Sequence, residues 1–571
     1  MVDFVLNLRG NRRKEKENWT SIFFDKYELY FNANYLDLRD IDGYGLLLLG
    51  DFFQVSNITE KIKLIHVEEY FKGNFYAIEV AKEYISVKSS SFSLLPIFYD
   101  KENKYIGSSI FYLSELFVSN EYTYNKKWEL NQLLFNYQFS DDTIFKEVRL
   151  LSSFTTITIK NNHLYFNKTV QIPDYINISP LPWKKSLSNI SELFIEIASK
   201  YIPDKNSAIS FTGGFDGRTL VSIAKFYNKE FSTYSYGLNS SDDVLIPSRN
   251  SKLLKIQYQS LLLDEKYIKS QFYNHSLSYT KNSNGGNGFI YSHVSYAAEK
   301  LSKDYKYLVS GVCGSELFRA IHLTGAVTSK ELIGLFTCNN FDDYYNLLIN
   351  SPSIKYLNIE LYKNELNEIA ESTWNYKQNL SAELTLNQKL YIFVYEEMFR
   401  KFFGSMVKAQ MNYINVRTPY ADFNFFKELL KTNLAGIYSD FLTENPYKRF
   451  KGQLLYAEVI RRTQKKLYWS KTGKGYPPAF VRQPLLRPLL FYPFCSKRVN
   501  QLFKKKDLDN LSIISGVREN LNNLRVSDDY NYDVKHFREN LVSLSETTSE
   551  KNRDNILSIL SIVEYKKNLG L

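Results

Sequence analysis

Cysteine is scarce in this chain of 571 residues: there are three, Cys313, Cys338 and Cys495, widely spaced. That excludes a disulfide framework and a cysteine-based zinc site, and it suits a reducing, cytoplasmic setting. Long apolar runs are missing too. The densest, Leu46-Leu47-Leu48-Leu49, falls far short of the about 20 residues that span a bilayer and predicts a buried strand. The start, Met1 to Trp19, turns charged after a few apolar residues, unlike a signal peptide, so no membrane partner is expected. There is no G-x-x-x-x-G-K-[ST] loop, no G-x-G-x-x-G, no zinc finger, helix-turn-helix or RNA-binding signature, and no internal repeat. The net charge of +11 raises nucleic acid as a partner. Yet the basic residues are dispersed, apart from Arg9-Gly10-Asn11-Arg12-Arg13-Lys14 and Lys504-Lys505-Lys506, and such short runs read as solvated surface. No nucleic-acid partner is expected.

What the chain does have is concentrated in residues 207–220. Ala208, Ile209 and Phe211 alternate with small residues and run into Thr212-Gly213-Gly214-Phe215-Asp216-Gly217. A helical pattern then opens with Leu220, Val221, Ile223 and Ala224. Strand, glycine turn, helix is the arrangement in which backbone N–H groups and a helix N-terminus face an anion. Paired glycines let the main chain close on phosphate oxygens, and Asp216 could hold a divalent cation beside them. An ordinary strand-to-helix turn would read the same from these residues alone.

The hexapeptide Thr212–Gly217 resembles the S-G-G-x-D-S pyrophosphate loop of the asparagine synthetase family. Four further segments match that family in order. Phe231-Ser232-Thr233-Tyr234-Ser235-Tyr236-Gly237-Leu238 with Ser241-Asp242 looks like its second strand and loop. Tyr307 to Phe318, with Ser310-Gly311-Val312-Cys313-Gly314-Ser315-Glu316-Leu317-Phe318, resembles S-G-E-G-x-D-E-L-F. Asn415 to Asp422 is similar to V-R-x-P-F-L-D, and Lys471-Thr472-Gly473-Lys474-Gly475 looks like its basic glycine loop.

The first third resembles the class II glutamine amidotransferase domain that precedes the synthetase in this family. The match runs through Phe71-Lys72-Gly73-Asn74-Phe75-Tyr76, Leu94 to Tyr99, Tyr105 to Ser109 and Ile157-Thr158-Ile159. The family's glutaminase uses an N-terminal cysteine, and residue 2 here is Val2, from which no thiolate nucleophile can be made. The resemblance therefore implies a degenerate, glutaminase-inactive domain over 1–178. It is followed by an asparagine synthase-like ATP-binding synthetase domain over 179–506 and a C-terminal helical extension over 507–571. The break falls near residues 172–190, where Ile172-Pro173-Asp174 and Ser179-Pro180-Leu181-Pro182 interrupt the strand pattern. The expected fold is an α+β N-terminal sandwich (amidotransferase-like, αββα), then an α/β parallel-sheet PP-loop nucleotide-binding domain with a helical C-terminal extension. Periodic apolar residues near Leu386 to Met398 predict helix, and Asn555 to Val563 reads as a peripheral helix.

The implied activity is that of an AMP-forming carbon–nitrogen ligase with ATP and Mg2+ as cofactors. By position, Thr212, Gly213, Gly214 and Gly217 would cradle pyrophosphate, with Asp216 on magnesium. Phe211, Tyr236, Ser310 and Gly311 would contact adenosine, and Lys474 or Lys471 would neutralise the leaving pyrophosphate. Glu316 would serve as a metal ligand or base; a carboxylate that merely holds its loop reads equally well. Three departures stand out: Gly217 for the loop's last serine, Val312-Cys313 for Glu-Gly, and Ser315 for the metal-sharing aspartate. Cys313 reads as a small buried thiol and His322 as incidental. Glutaminase-inactive members such as β-lactam synthetases and lasso-peptide macrolactam cyclases close rings, so the expected partner is a small-molecule or peptide carboxylate with its own amine, alongside a biosynthetic partner protein. The alternative is a decayed pseudoenzyme that acts as a nucleotide-binding or scaffold protein. Acceptor specificity is expected in loops such as Tyr279 to Ile290.

Overall fold

The structure is a computed structural model that describes residues 2–9, 18–24, 27–58, 61–117, 121–319, 327–439, 450–493, 495–496, 508–521, 532–544 and 550–571. His322, Lys504-Lys505-Lys506 and residues 10–14 of the first basic run lie outside them.

Alternating sequence builds the first third. In Thr155–Lys160 every second residue, Thr155, Ile157 and Ile159, is buried, which is the period of a strand with one covered face. One antiparallel sheet comprises β1 (Asp3–Asn7), β2 (Thr20–Phe24), β3 (Tyr27–Asn32), β8 (Phe98–Asp100), β9 (Tyr105–Gly107) and β10 (Val148–Leu150), in the order β10-β8-β9-β1-β3-β2. The second comprises β4 (Tyr35–Arg39), β5 (Gly45–Gln54), β6 (Phe71–Val80), β7 (Tyr84–Ser89), β11 (Thr155–Lys160) and β12 (His163–Lys168), in the order β12-β11-β7-β6-β5-β4. Phe4 of β1 meets Tyr76 of β6 edge-on, with ring centres 4.8 Å apart, so the two sheets share an interior. Leu46 to Leu49 are buried within β5 as expected.

After the helix Trp183–Tyr201 the architecture changes to a parallel sheet. Its strands are β13 (Ser207–Ser210), β14 (Phe231–Gly237), β15 (Tyr258–Leu262), β16 (Tyr307–Val309) and β17 (Asn415–Arg417), in the order β15-β14-β13-β16-β17. The chain grows outward from β13 through β14 to β15, then crosses back to lay β16 against the other side of β13. The winding direction reverses at the carboxyl ends of β13 and β16, and such switch points are where open α/β sheets bind ligands.

Two expectations from the sequence need correction. The helix Glu550–Asn568 is not peripheral: Ile556, Leu557, Ile559, Leu560 and Ile562 are buried as it packs on Phe272–Asn282 and Gly288–Ser302. Charged residues interleave with these apolar ones and mask how much of the helix circumference is apolar. Nor is Tyr279 to Ile290 a flexible loop, although Tyr279 and Ser283 to Asn287 line a cavity. Gly285, at φ +92°, is wedged so tightly that a Cβ would stand 2.6 Å from the Trp128 ring and 2.8 Å from that of Tyr565. The glycines there serve close packing.

The two parts are joined by buried polar contacts. Arg417 of β17 pairs with Asp51 of β5, its Nη2 3.0 Å from the carboxylate, and Asn74 Nδ2 donates to the Val416 carbonyl at 2.7 Å. Lys408 donates to Asp3 at 2.6 Å and to the carbonyl of the buried Val2. Among the described residues no helix is long and apolar enough to cross a membrane.

Candidate functional site

The site begins where β13 ends. Ala208 and Ile209 are fully buried, which fixes the strand, and Phe211 is carried beside β14 by its N–H on the Tyr234 carbonyl at 2.8 Å. The turn Thr212-Gly213-Gly214-Phe215 then delivers Asp216 as the first residue of the helix Asp216–Phe226. Gly217 is required sterically, because a Cβ there would run into the carbonyl oxygen of Ser210. Serine would not fit this backbone, so this departure is a matter of packing as well as a lost hydroxyl.

The amides of the turn have partners from the chain itself. The Gly213 N–H donates to the Asp243 carboxylate at 3.0 Å, so a carboxylate already lies where these donors would receive an anion. The Gly214 N–H donates to Thr212 Oγ1 at 3.2 Å. Across from the turn lies the second glycine loop, whose Gly473 N–H donates to the Gly213 carbonyl at 2.8 Å. Contact is close enough that a Cβ on Gly213 would stand 3.1 Å from the Gly473 Cα. Thr472 closes this loop by donating to the Tyr476 carbonyl at 2.8 Å. Lys474 turns inward, its Nζ 5.6 Å from the centre of the Phe215 ring, whereas the Lys471 side chain is exposed. Of the two lysines, Lys474 is the one brought to the glycine turn.

Arg218 holds the loops in register. Its buried guanidinium donates to the carbonyls of Leu467 (3.2 Å), Ser470 (3.1 Å) and Lys471 (2.8 Å), and burial pushes its pKa down to about 10.

The segment after β16 supplies the other wall. Ser310 is tied to β17 through its N–H on the Arg417 carbonyl at 2.9 Å. Gly311 faces Asp216 so closely that a Cβ would be 2.9 Å from the Asp216 Cβ. Cys313 takes φ +69° and is buried, and burial pushes its thiol well up, which leaves it no thiolate character. Ser315 Oγ donates to the Asp216 carboxylate, 3.1 and 3.3 Å from its two oxygens, and Tyr456 donates to the same group through a short hydrogen bond. Tyr420 donates to the Asp216 carbonyl at 3.0 Å. Burial and the Asp216 charge hold both tyrosines well above the usual range, so they remain protonated donors.

Glu316 stands on the same short helix, Gly314–Phe318. Burial pushes its carboxyl up to about 7, with Arg319 opposing and Asp216 adding to the rise. Burial works against the Arg319 charge, but Asp216 and Glu316 outweigh it and raise that group. Tyr236 lies at the end of β14 with its ring centre 4.6 Å from that of His293.

The structure thus gathers Thr212, Gly213, Gly214, Asp216, Gly217, Ser310, Gly311, Glu316 and Lys474 at the carboxyl ends of β13 and β16, with Phe211 and Tyr236 on the β14 side. Tyr456, Tyr420, Arg218, Asp243 and Arg319 join them unannounced by the sequence reading. Tyr420 alone left a signal, a tyrosine at the phenylalanine position of the V-R-x-P-F-L-D-like segment. A protein-held magnesium pair does not fit these side chains. Asp216 already accepts two hydroxyls, Ser315 carries no charge, and no group of three His, Cys, Asp or Glu residues able to hold a metal occurs among the described residues. Scanned against protein-family models the chain matches none, and a search of the curated proteins finds no match.

Proposed function

We propose that this protein is an ATP-dependent amide-forming synthetase of the asparagine synthase-like kind, with an amidotransferase-like αββα first domain that no longer acts on glutamine. A substrate carboxylate oxygen attacks the α-phosphorus of ATP, the bond from that phosphorus to the bridging oxygen breaks, and pyrophosphate leaves. An amine then attacks the acyl carbon and expels AMP, giving up its proton to a base. A peptide or natural product that carries both groups and closes into a lactam is the substrate class that suits a chain without an ammonia source.

The observation that carries this reading is the pairing of two glycine loops at the switch point of the parallel sheet, joined by Gly473 N–H on the Gly213 carbonyl, with Lys474 beside Phe215. Backbone amides of a glycine turn with one cation beside them suit an anion with developing charge. Incoming phosphate would take the Gly213 N–H from Asp243, Lys474 would balance the leaving pyrophosphate, and Glu316 would take the amine proton. Magnesium enters as part of the nucleotide substrate.

The test is product analysis with Mg-ATP and a deproteinised cell extract as the substrate pool. AMP and pyrophosphate are expected in equal amounts and are expected to be lost in Asp216→Ala. Absence of AMP with the intact protein, while labelled nucleotide still binds, would favour the nucleotide-binding scaffold instead.

A further inference from the structure

We propose that Asp216 is a hydrogen-bonded anchor of the site, and that the site holds no divalent ion on its own side chains. The assignment rests on reading the glycine turn as an anion site, and it concerns how that site manages charge.

Three segments far apart in sequence close on this one residue. Ser315 Oγ reaches both carboxylate oxygens, at 3.3 and 3.1 Å, and the Tyr456 hydroxyl donates to the first of them. The Tyr420 hydroxyl takes the main-chain carbonyl at 3.0 Å. Gly314 completes the enclosure: a Cβ there would stand 2.7 Å from Asp216 Oδ1 and 3.0 Å from the Tyr456 hydroxyl. Hydrogen bonds to an ionised carboxylate are roughly twice as strong as neutral ones, so these hydroxyls are firm partners. A magnesium ion needs near-octahedral oxygen ligands at about 2.1 Å, and here it would have to displace Tyr456 or Ser315 from Asp216. Ser315 brings no compensating charge, while the Arg319 guanidinium lies in electrostatic range of both Asp216 and Glu316 and would repel a second cation. Positive charge is thus already built in, from Arg319 on one wall and Lys474 on the other. The hydroxyl set ties the β13 turn to the β16 turn and to the helix Lys451–Thr463, which keeps the anion-binding amides in place.

Manganese provides the probe, since the electron paramagnetic resonance signal of the free aqueous ion falls when protein takes it up. The full chain without nucleotide is expected to leave that signal unchanged, and Ser315→Asp, which restores a second carboxylate, is expected to tighten uptake by about tenfold or more. Inorganic pyrophosphate is expected to bind the intact protein in EDTA, read by calorimetry. Uptake of manganese by the wild-type chain that disappears in Asp216→Asn would overturn the assignment, and this arm stands even if Ser315→Asp does not fold. Pyrophosphate that binds neither with nor without manganese, with the manganese signal unchanged, would instead sink the anion-site reading.

Discussion

Gly214 and Gly217 differ in what a methyl group would meet. At Gly214 a Cβ would find Thr212 Oγ1 at 3.4 Å and Asp216 Oδ2 at 3.9 Å, which is ordinary contact. At Gly217 it would collide with the Ser210 carbonyl, a backbone group that cannot turn aside. Gly217→Ala is therefore expected to cost about 2 kcal/mol or more in thermal unfolding. Gly214→Ala should unfold within about 0.5 kcal/mol of the parent, yet weaken pyrophosphate binding if the turn is the anion site, because its methyl would stand beside the Thr212 hydroxyl and the Asp216 carboxylate. Equal stability of the two variants would show that the turn relaxes. Thiol labelling gives a second check at this scale. Cys313 is buried with its thiol pushed up, so Ellman's reagent should reach it only after unfolding, whereas the half-buried Cys338 and Cys495 react in the native protein. The glycine turn was legible in the sequence because it is local: strand, paired glycines and helix lie within 14 residues. Tyr456 was not, because 240 residues separate it from the carboxylate it serves.

Between elements, the decisive device is Arg218. It is the second residue of its helix after Asp216, yet its hydrogen bonds run to a segment some 250 residues away and hold the lysine loop against the glycine turn. Arg218→Met keeps the apolar bulk and removes the donors to three carbonyls, at a cost of about 3 kcal/mol. Hydrogen exchange locates the damage: the Gly473 amide should lose protection, while amides of β13 and β14 keep theirs. Uniform loss across the sheet would mean that Arg218 supports the whole core and does not specifically clamp the loop. Elements with a clean period, such as β11 or the helix from Leu386, follow from the sequence because each is written in neighbouring residues. The burial of the helix Glu550–Asn568 does not follow from the sequence, because it depends on which helices receive it, and no local pattern records that.

At the scale of the whole molecule, the order of antiparallel sheets followed by a parallel one was legible, since strand alternation and strand–helix succession are both local patterns. How the parts join was not, because the joints are buried polar contacts between distant residues. Arg400 is the clearest of these. Its guanidinium, buried in the π-helical segment Val394–Phe403, donates to the Leu151 carbonyl at 2.9 Å, to Glu397 at 2.5 Å and to Asp141. Lys401 beside it donates to the Phe139 and Ser140 carbonyls. Burial would raise the Asp141 carboxyl, but Arg400, Lys401 and a hydrogen bond from Ser152 outweigh it and hold the group down to about 2. A carboxyl with a depressed folded pKa binds fewer protons folded than unfolded, so its contribution is present above the ordinary value near 3.8 and is lost as pH falls through 2. The contribution is at most about 2 kcal/mol, since the Asp141 side chain keeps some solvent contact. Arg400→Met should cost about 3–5 kcal/mol, because Asp141 and Glu397 are left without their guanidinium. It should also flatten the acid dependence, since Lys401 and Ser152 then hold the Asp141 carboxyl down without Arg400. Denaturant unfolding of both proteins from pH 5 down to pH 2 reads both effects at once. A parent that loses stability over this range and a variant that starts lower and loses less is the expected pair of curves. Parallel curves would mean that Arg400 packs the junction without governing Asp141.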